Sequence, residues 1–213
     1  MSMNKDKLQT ITTYFDQLFP DAHGELEYSK DYELLIAVIL SAQATDKAVN
    51  ALTRTFFTMY PSLNSIISLS LIELEQAFKT IGLYKAKAKN IYKTVRILSN
   101  KHSGKVPSDK QELLALPGVG IKTANVVRAE LFNIPEIAVD THVFRISKRL
   151  GFARLKDSLE QVEQKLRKTL KVEDYIKMHH QMIFFGRYFC KAKKPRCREC
   201  KIVDICLEKN KNL

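Results

Sequence analysis

Cysteine is missing from the first 189 residues of this 213-residue chain, and all four copies fall between Cys190 and Cys206. That distribution excludes a disulfide framework threaded through the fold. Long apolar runs are missing as well: the longest, Leu34 to Leu40, has seven residues, against the roughly 20 that cross a bilayer. No repeat of fixed period, low-complexity tract or Gly/Ser linker occurs, which argues against a solenoid or loosely tethered domains. Strand-like alternation is scarce. The start, MSMNKDKLQT, has no charged-then-apolar leader, so a reducing compartment is expected. Acidic residues are short in number, 23 against 35 Lys and Arg, for a net charge of +12. A solvated surface accounts for part of such an excess, but its size points to a polyanionic partner, with nucleic acid the first candidate.

What is present begins with the cysteines themselves: Cys190, Cys197, Cys200 and Cys206 are spaced C-x6-C-x2-C-x5-C. Short loops between four thiols suit one inorganic centre. Two disulfides fit a reducing compartment poorly. A structural zinc is the serious alternative, yet its all-cysteine sites use two close pairs, and only Cys197 and Cys200 form one. The spacing therefore favours a [4Fe-4S] cluster over zinc and leaves zinc open. Seven Lys or Arg residues lie from Arg187 to Lys201 against one acid, Glu199. A loop this basic offsets thiolate charge and can also face phosphates.

Hydrophobic residues make up 45% of the chain, enough for a substantial core in one domain or two closely packed lobes. Their spacing is helical: Leu8, Ile11, Phe15 and Leu18 share one face, as do Val49, Leu52 and Phe56. Breaks at Phe19-Pro20, Tyr60-Pro61, Ile81-Gly82, Val106-Pro107, Leu116-Pro117 and Ile134-Pro135 cut the chain into roughly ten helices. The fold class is all-α.

Leu116-Pro-Gly-Val-Gly-Ile-Lys-Thr-Ala124 reads as a tight turn, with Gly118 and Gly120 two apart, running into a helix from Thr123 to Phe132. Glycines there let another backbone approach, and the helix start offers free N–H groups, so the pair forms a phosphate cradle. An ordinary hairpin turn is the plainer reading, and the basic chain favours the cradle. Lys122 stands at the helix start, where the dipole disfavours an ammonium and burial would do the same, leaving a nucleophilic amine. From position alone, a lysine that only neutralises phosphate is the better reading. In Val139-Asp-Thr-His-Val143, Asp140 reads as an N-cap, a place where a carboxylate is also well oriented for chemistry.

The stretches LLIAVILSAQATD, KTIGLYKAKAKNI, LPGVGIKTANVV and IAVDTHVFRI, with the four-cysteine tail, closely resemble the bacterial endonuclease III family of helix-hairpin-helix DNA glycosylases. The resemblance covers almost the whole chain. It implies a six-helix barrel over residues 24–134, a cluster lobe built from residues 1–23 and 135–213, and DNA between the lobes. It implies a [4Fe-4S] cluster on the four cysteines, and double-stranded DNA carrying damaged bases or abasic sites as the partner, acted on by a monomer in the bacterial cytoplasm. It assigns Lys122 as the nucleophile at the sugar C1′ and Asp140 as its carboxylate partner, with β-elimination following. Gln43 and Leu83 would fill the space left by a flipped nucleotide, Gly118 and Gly120 would bind the backbone, and His142 would be structural or DNA-contacting. Oxidised pyrimidines are the implied lesions. Two rivals remain: an adenine-type glycosylase, which lacks the lysine and carries a further domain, and a non-enzymatic DNA-binding module with structural zinc.

Overall fold

The computed structural model describes residues 3–213, which form eleven α-helices and no strand among the described residues. In chain order these are α1 (Lys5–Leu18), α2 (Asp31–Ser41), α3 (Asp46–Met59), α4 (Leu63–Ile67), α5 (Leu71–Ala77), α6 (Tyr84–His102), α7 (Lys110–Leu114), α8 (Ile121–Phe132), α9 (Thr141–Leu150), α10 (Leu159–Thr169) and α11 (Tyr175–Phe184). The all-α expectation holds. The five-residue helix α4 is too short for apolar periodicity to register, and the apolar helix expected at Leu113 to Leu116 before the glycine turn lies at Lys110–Leu114. The helix expected from Thr123 starts instead at Ile121, because Gly120 is extended at φ −96° and ψ 179° and takes the N-cap position. The chain divides into two compact units, one of Glu25–Ile134 and one of Met1–Gly24 with Pro135–Leu213.

In the Glu25–Ile134 unit, α2 is buried on every side from Tyr32 to Leu40, as expected of a helix apolar all round. Helices α3, α6 and α8 pack on it. Its first turn is held by Glu33, whose carboxylate accepts the Ser29 and Lys30 N–H groups at 2.8 and 3.2 Å. Val49 and Phe56 of α3 enter this core and Leu52 packs beside it. Phe56 meets Phe78 at 4.9 Å between ring centres and Tyr60 at 5.1 Å, contacts that add to its area burial. Thr45 caps α3 by accepting the Ala48 N–H at 3.2 Å.

The other unit joins the chain's two ends. Ile11 and Phe15 of α1 share a core with Val143, Ile146 and Leu150 of α9 and Met178 and Met182 of α11. Polar ties fix the same docking: the Asp16 carboxylate accepts from Gln181 Nε2 at 2.8 Å and pairs with Lys177 at 2.6 Å. Beyond α11 the helix widens into one π turn, Phe185–Phe189, the kind of bulge that redirects the chain beyond it. The next residue is Cys190.

Candidate functional site

The glycine turn is set by its contacts with α6. Gly118 has φ +83°, and a Cβ there would lie 2.9 Å from Asn90 Nδ2 and 3.0 Å from Asn90 Cβ. Both the conformation and the contact favour a residue without a side chain. Thr94 Oγ1 donates to the Pro117 carbonyl at 2.9 Å, so α6 holds the turn at two points. Gly120 is different: a Cβ would meet nothing within 4 Å. No side chain caps α8 at Gly120, and its first turn presents N–H groups suited to an anion. Lys122, the second residue of α8, is exposed.

Gln43 and Leu83 lie in the same unit, each at a strained turn. Gln43 follows α2 and has φ 57°, while Leu83 precedes α6 with φ 61°. Non-glycine residues seldom adopt this left-handed conformation. Gln43 is exposed and Leu83 is 59% exposed, so Leu83 is not the core leucine its type would suggest.

In the other unit, Asp140 is the N-cap of α9, its Oδ1 accepting the Val143 N–H at 2.7 Å. His142, in the first turn, is partly buried; burial holds it below the usual histidine range, with Arg145 and Arg187 adding to that and Asp140 opposing it. Its Nδ1 lies 3.4 Å from Arg145 Nη2, so a neutral ring can accept from the guanidinium. A Cβ on Gly186 would lie 3.0 Å from His142 Cβ and 3.2 Å from Ile146 Cγ1, which is how the π turn sits close against α9.

The four cysteines are partly buried and line one cavity with Leu150, Phe185, Phe189 and Val203. Arg149 Nη1 donates to Cys190 Sγ at 3.3 Å and to the Lys191 carbonyl at 2.9 Å. Burial pushes the Cys200 thiol up to about 11 and raises Cys190 too, although Arg149 pulls Cys190 the other way. Buried thiols of this kind ionise readily only when a cationic centre takes their charge. No group of three His, Cys, Asp or Glu residues among the described residues converges as a single-ion site.

Comparison with known proteins decides the family. A model described as "HhH-GPD superfamily base excision DNA repair protein" matches residues 36–171. Endonuclease III of Bacillus subtilis (strain 168) is 47% identical over 209 residues, covering 98% of this chain and 95% of that protein. Endonuclease III of Escherichia coli (strain K12) is 48% identical over 209 residues, with 98% and 99% covered. The chain belongs to the endonuclease III family. Among solved structures, a trapped endonuclease III–DNA covalent intermediate superposes with a TM-score of 0.93 at 48% identity, covering 97% of each chain. A non-covalent endonuclease III–DNA complex does so with a TM-score of 0.93 at the same identity, covering 97% of this chain and 96% of that one.

Around the endonuclease III motifs stand supporting residues that motif reading missed. Asn90 and Thr94 seat the hairpin. Arg145 reaches the Gly186 and Cys190 carbonyls at 2.7 and 3.2 Å; with Arg149 it forms an i,i+4 pair that lashes the cysteine loop to the helix capped by Asp140. The pair was visible in FRISKRL as two like charges one turn apart, a costly arrangement without acceptors to receive it. Lys87 is 4% exposed and has its Nζ 2.8 Å from the Leu40 carbonyl.

Proposed function

We propose that this chain is a bifunctional DNA glycosylase and abasic-site lyase of base excision repair, acting on double-stranded DNA with damaged bases or abasic sites. Oxidised pyrimidines are its proposed substrates. The observation that carries the reading is an exposed lysine in the first turn of α8, behind a hairpin glycine that leaves open space. A phosphodiester backbone seated on the hairpin brings a sugar within reach of that amine. The full-length match to endonuclease III caught covalently on DNA supports the same chemistry.

In this reading the Lys122 amine attacks C1′ of a flipped nucleotide. The C1′–N bond breaks, the electron pair leaves with the base, and the base takes a proton. Asp140 accepts the proton lost by the lysine nitrogen or steadies the cationic sugar, and ring opening yields a protonated Schiff base. Loss of a C2′ proton then expels the 3′ phosphate. Gln43 and Leu83 occupy the space the nucleotide vacates, since flipping leaves unstacked neighbours behind. Gly118 and Gly120 serve the backbone, and His142 supports the start of α9 beside it.

Cys190, Cys197, Cys200 and Cys206 are proposed to hold a [4Fe-4S] cluster. The fit rests on four sulfurs lining one apolar cavity, with an arginine bonded to one of them. Such a group would supply a four-point tie fixing the basic loop. The chain is proposed to work as a monomer in the cytoplasm; no described helix is long and apolar enough to cross a membrane.

Borohydride trapping on abasic duplex DNA tests the activity, because reduction captures only a Schiff base. The wild type is expected to form a covalent adduct and Lys122→Ala, still binding DNA, to form none. Efficient trapping by that variant would overturn the assignment.

A further inference from the structure

Lys87 is a buried cation that the chemistry above does not use. It sits in the first turn of α6, and its main-chain N–H donates to the Leu83 carbonyl at 3.1 Å. Its side chain runs inward to the end of α2, where Nζ donates to the Leu40 carbonyl at 2.8 Å. The last turn of α2 has few other ways to satisfy its carbonyls. Val38 receives the Ser41 hydroxyl and Ser41 receives the Ala44 N–H. The C-cap residue, Ala42, leaves the helical range at ψ 115°. An ammonium at this spot meets the negative end of the helix dipole and an orphan carbonyl together.

Two turns are thereby joined through one residue. Gln43 lies three residues beyond Leu40, and Leu83 four residues before Lys87; both are exposed and both are left-handed, at φ 57° and 61°. Strain of this type persists only where neighbours enforce it, and it gathers at functional positions. Burial lowers the Lys87 pKa, so the charge is held there at a cost that a methionine of similar length would avoid. Packing alone does not require an ammonium.

We propose that Lys87 is a positioning residue that fixes the Gln43 turn against the Leu83 turn, so that amide and isobutyl group stay correctly spaced to hold open the gap behind a flipped nucleotide. The proposal rests on the glycosylase and lyase reading. It assigns Lys87 no contact with DNA or with the reacting sugar. Lys87 therefore matters where a duplex must be held apart, and not where the abasic sugar is already unpaired.

The test measures borohydride trapping rates on one abasic oligonucleotide, once as a duplex and once single-stranded. Lys87→Met is expected to slow duplex trapping by about ten- to a hundredfold, as misplacement of a positioned group does, and single-strand trapping by less than about threefold. Gln43→Ala should show the same selectivity, and the double variant should be slower than Gln43→Ala by no more than about threefold, since residues acting through one another are not additive. Equal slowing on both substrates, or effects that multiply in the double variant, would overturn the proposal in favour of a general structural role. Should Lys87→Met fail to fold, Lys87→Arg is put through the same comparison, with duplex-selective slowing expected and equal slowing overturning it. Absence of any wild-type adduct on either substrate would instead defeat the underlying lyase reading.

Discussion

Asp140 carries two roles that a single substitution can separate. As N-cap it accepts the Val143 N–H at 2.7 Å, and asparagine performs that task almost equally well. Asp140→Asn is therefore expected to keep thermal stability within about 0.5 kcal/mol of wild type while base release falls by about 10²- to 10⁴-fold, the usual worth of a positioned acid or base. Asp140→Ala loses both and should also cost about 1 kcal/mol. Chemical denaturation beside single-turnover kinetics separates them; if asparagine retains full activity, the carboxylate is a cap and no more. At this scale the sequence was informative about placement: Asp140 as cap of an apolar periodic run, and Lys122 at a helix start behind Gly-x-Gly. It was uninformative about Lys87, one lysine among several in KAKAKNI, because a side chain's direction depends on which neighbour covers it. Residue type alone would put Leu83 in a core, since leucine is ordinarily buried, and here it is 59% exposed.

The hairpin between α7 and α8 assigns its two glycines different work. Gly118 is needed by the fold: φ +83° is strained for any other residue, and Asn90 stands 2.9 Å from the missing Cβ. Gly118→Ala should cost about 1–3 kcal/mol of stability. Gly120 is extended and unobstructed, and serine at a helix N-cap is favourable. Gly120→Ser is thus expected to leave stability unchanged or raised, yet to weaken DNA binding by about tenfold, or 1.4 kcal/mol, where a phosphate must approach the backbone. Melting curves beside affinity measurements decide this, and undiminished DNA affinity in a stable Gly120→Ser protein would remove Gly120 from the phosphate cradle. The helix, its turn and its order were legible from the glycine spacing. The start of α8 was misplaced by two residues because an extended glycine can stand as N-cap without a side chain to announce it, and α4 escaped because five residues span little more than one turn.

Across the whole chain the excess of positive charge, +12, makes a quantitative demand on binding. A polyelectrolyte releases counterions when its phosphates are neutralised, so the logarithm of affinity falls with the logarithm of salt in proportion to the number of phosphates engaged. The cysteine loop holds exposed Lys191, Lys193 and Lys194, whereas Arg196 is occupied with Glu199 and the Phe189 ring and Arg198 with the Leu213 carbonyl. These three lysines are thus the loop's candidates for phosphate contact, and the two arginines part of its scaffold. Replacing the three lysines by serine should make the salt slope shallower by about two to three, near 0.9 for each phosphate left without its cation. Iron and sulfide content and the visible absorption spectrum should stay unchanged in that variant, since none of the three reaches a cysteine sulfur through a bond of the kind Arg149 makes. An unaltered slope with an intact spectrum would mean that the loop's charge serves only to offset its thiolates, and that DNA is gripped elsewhere.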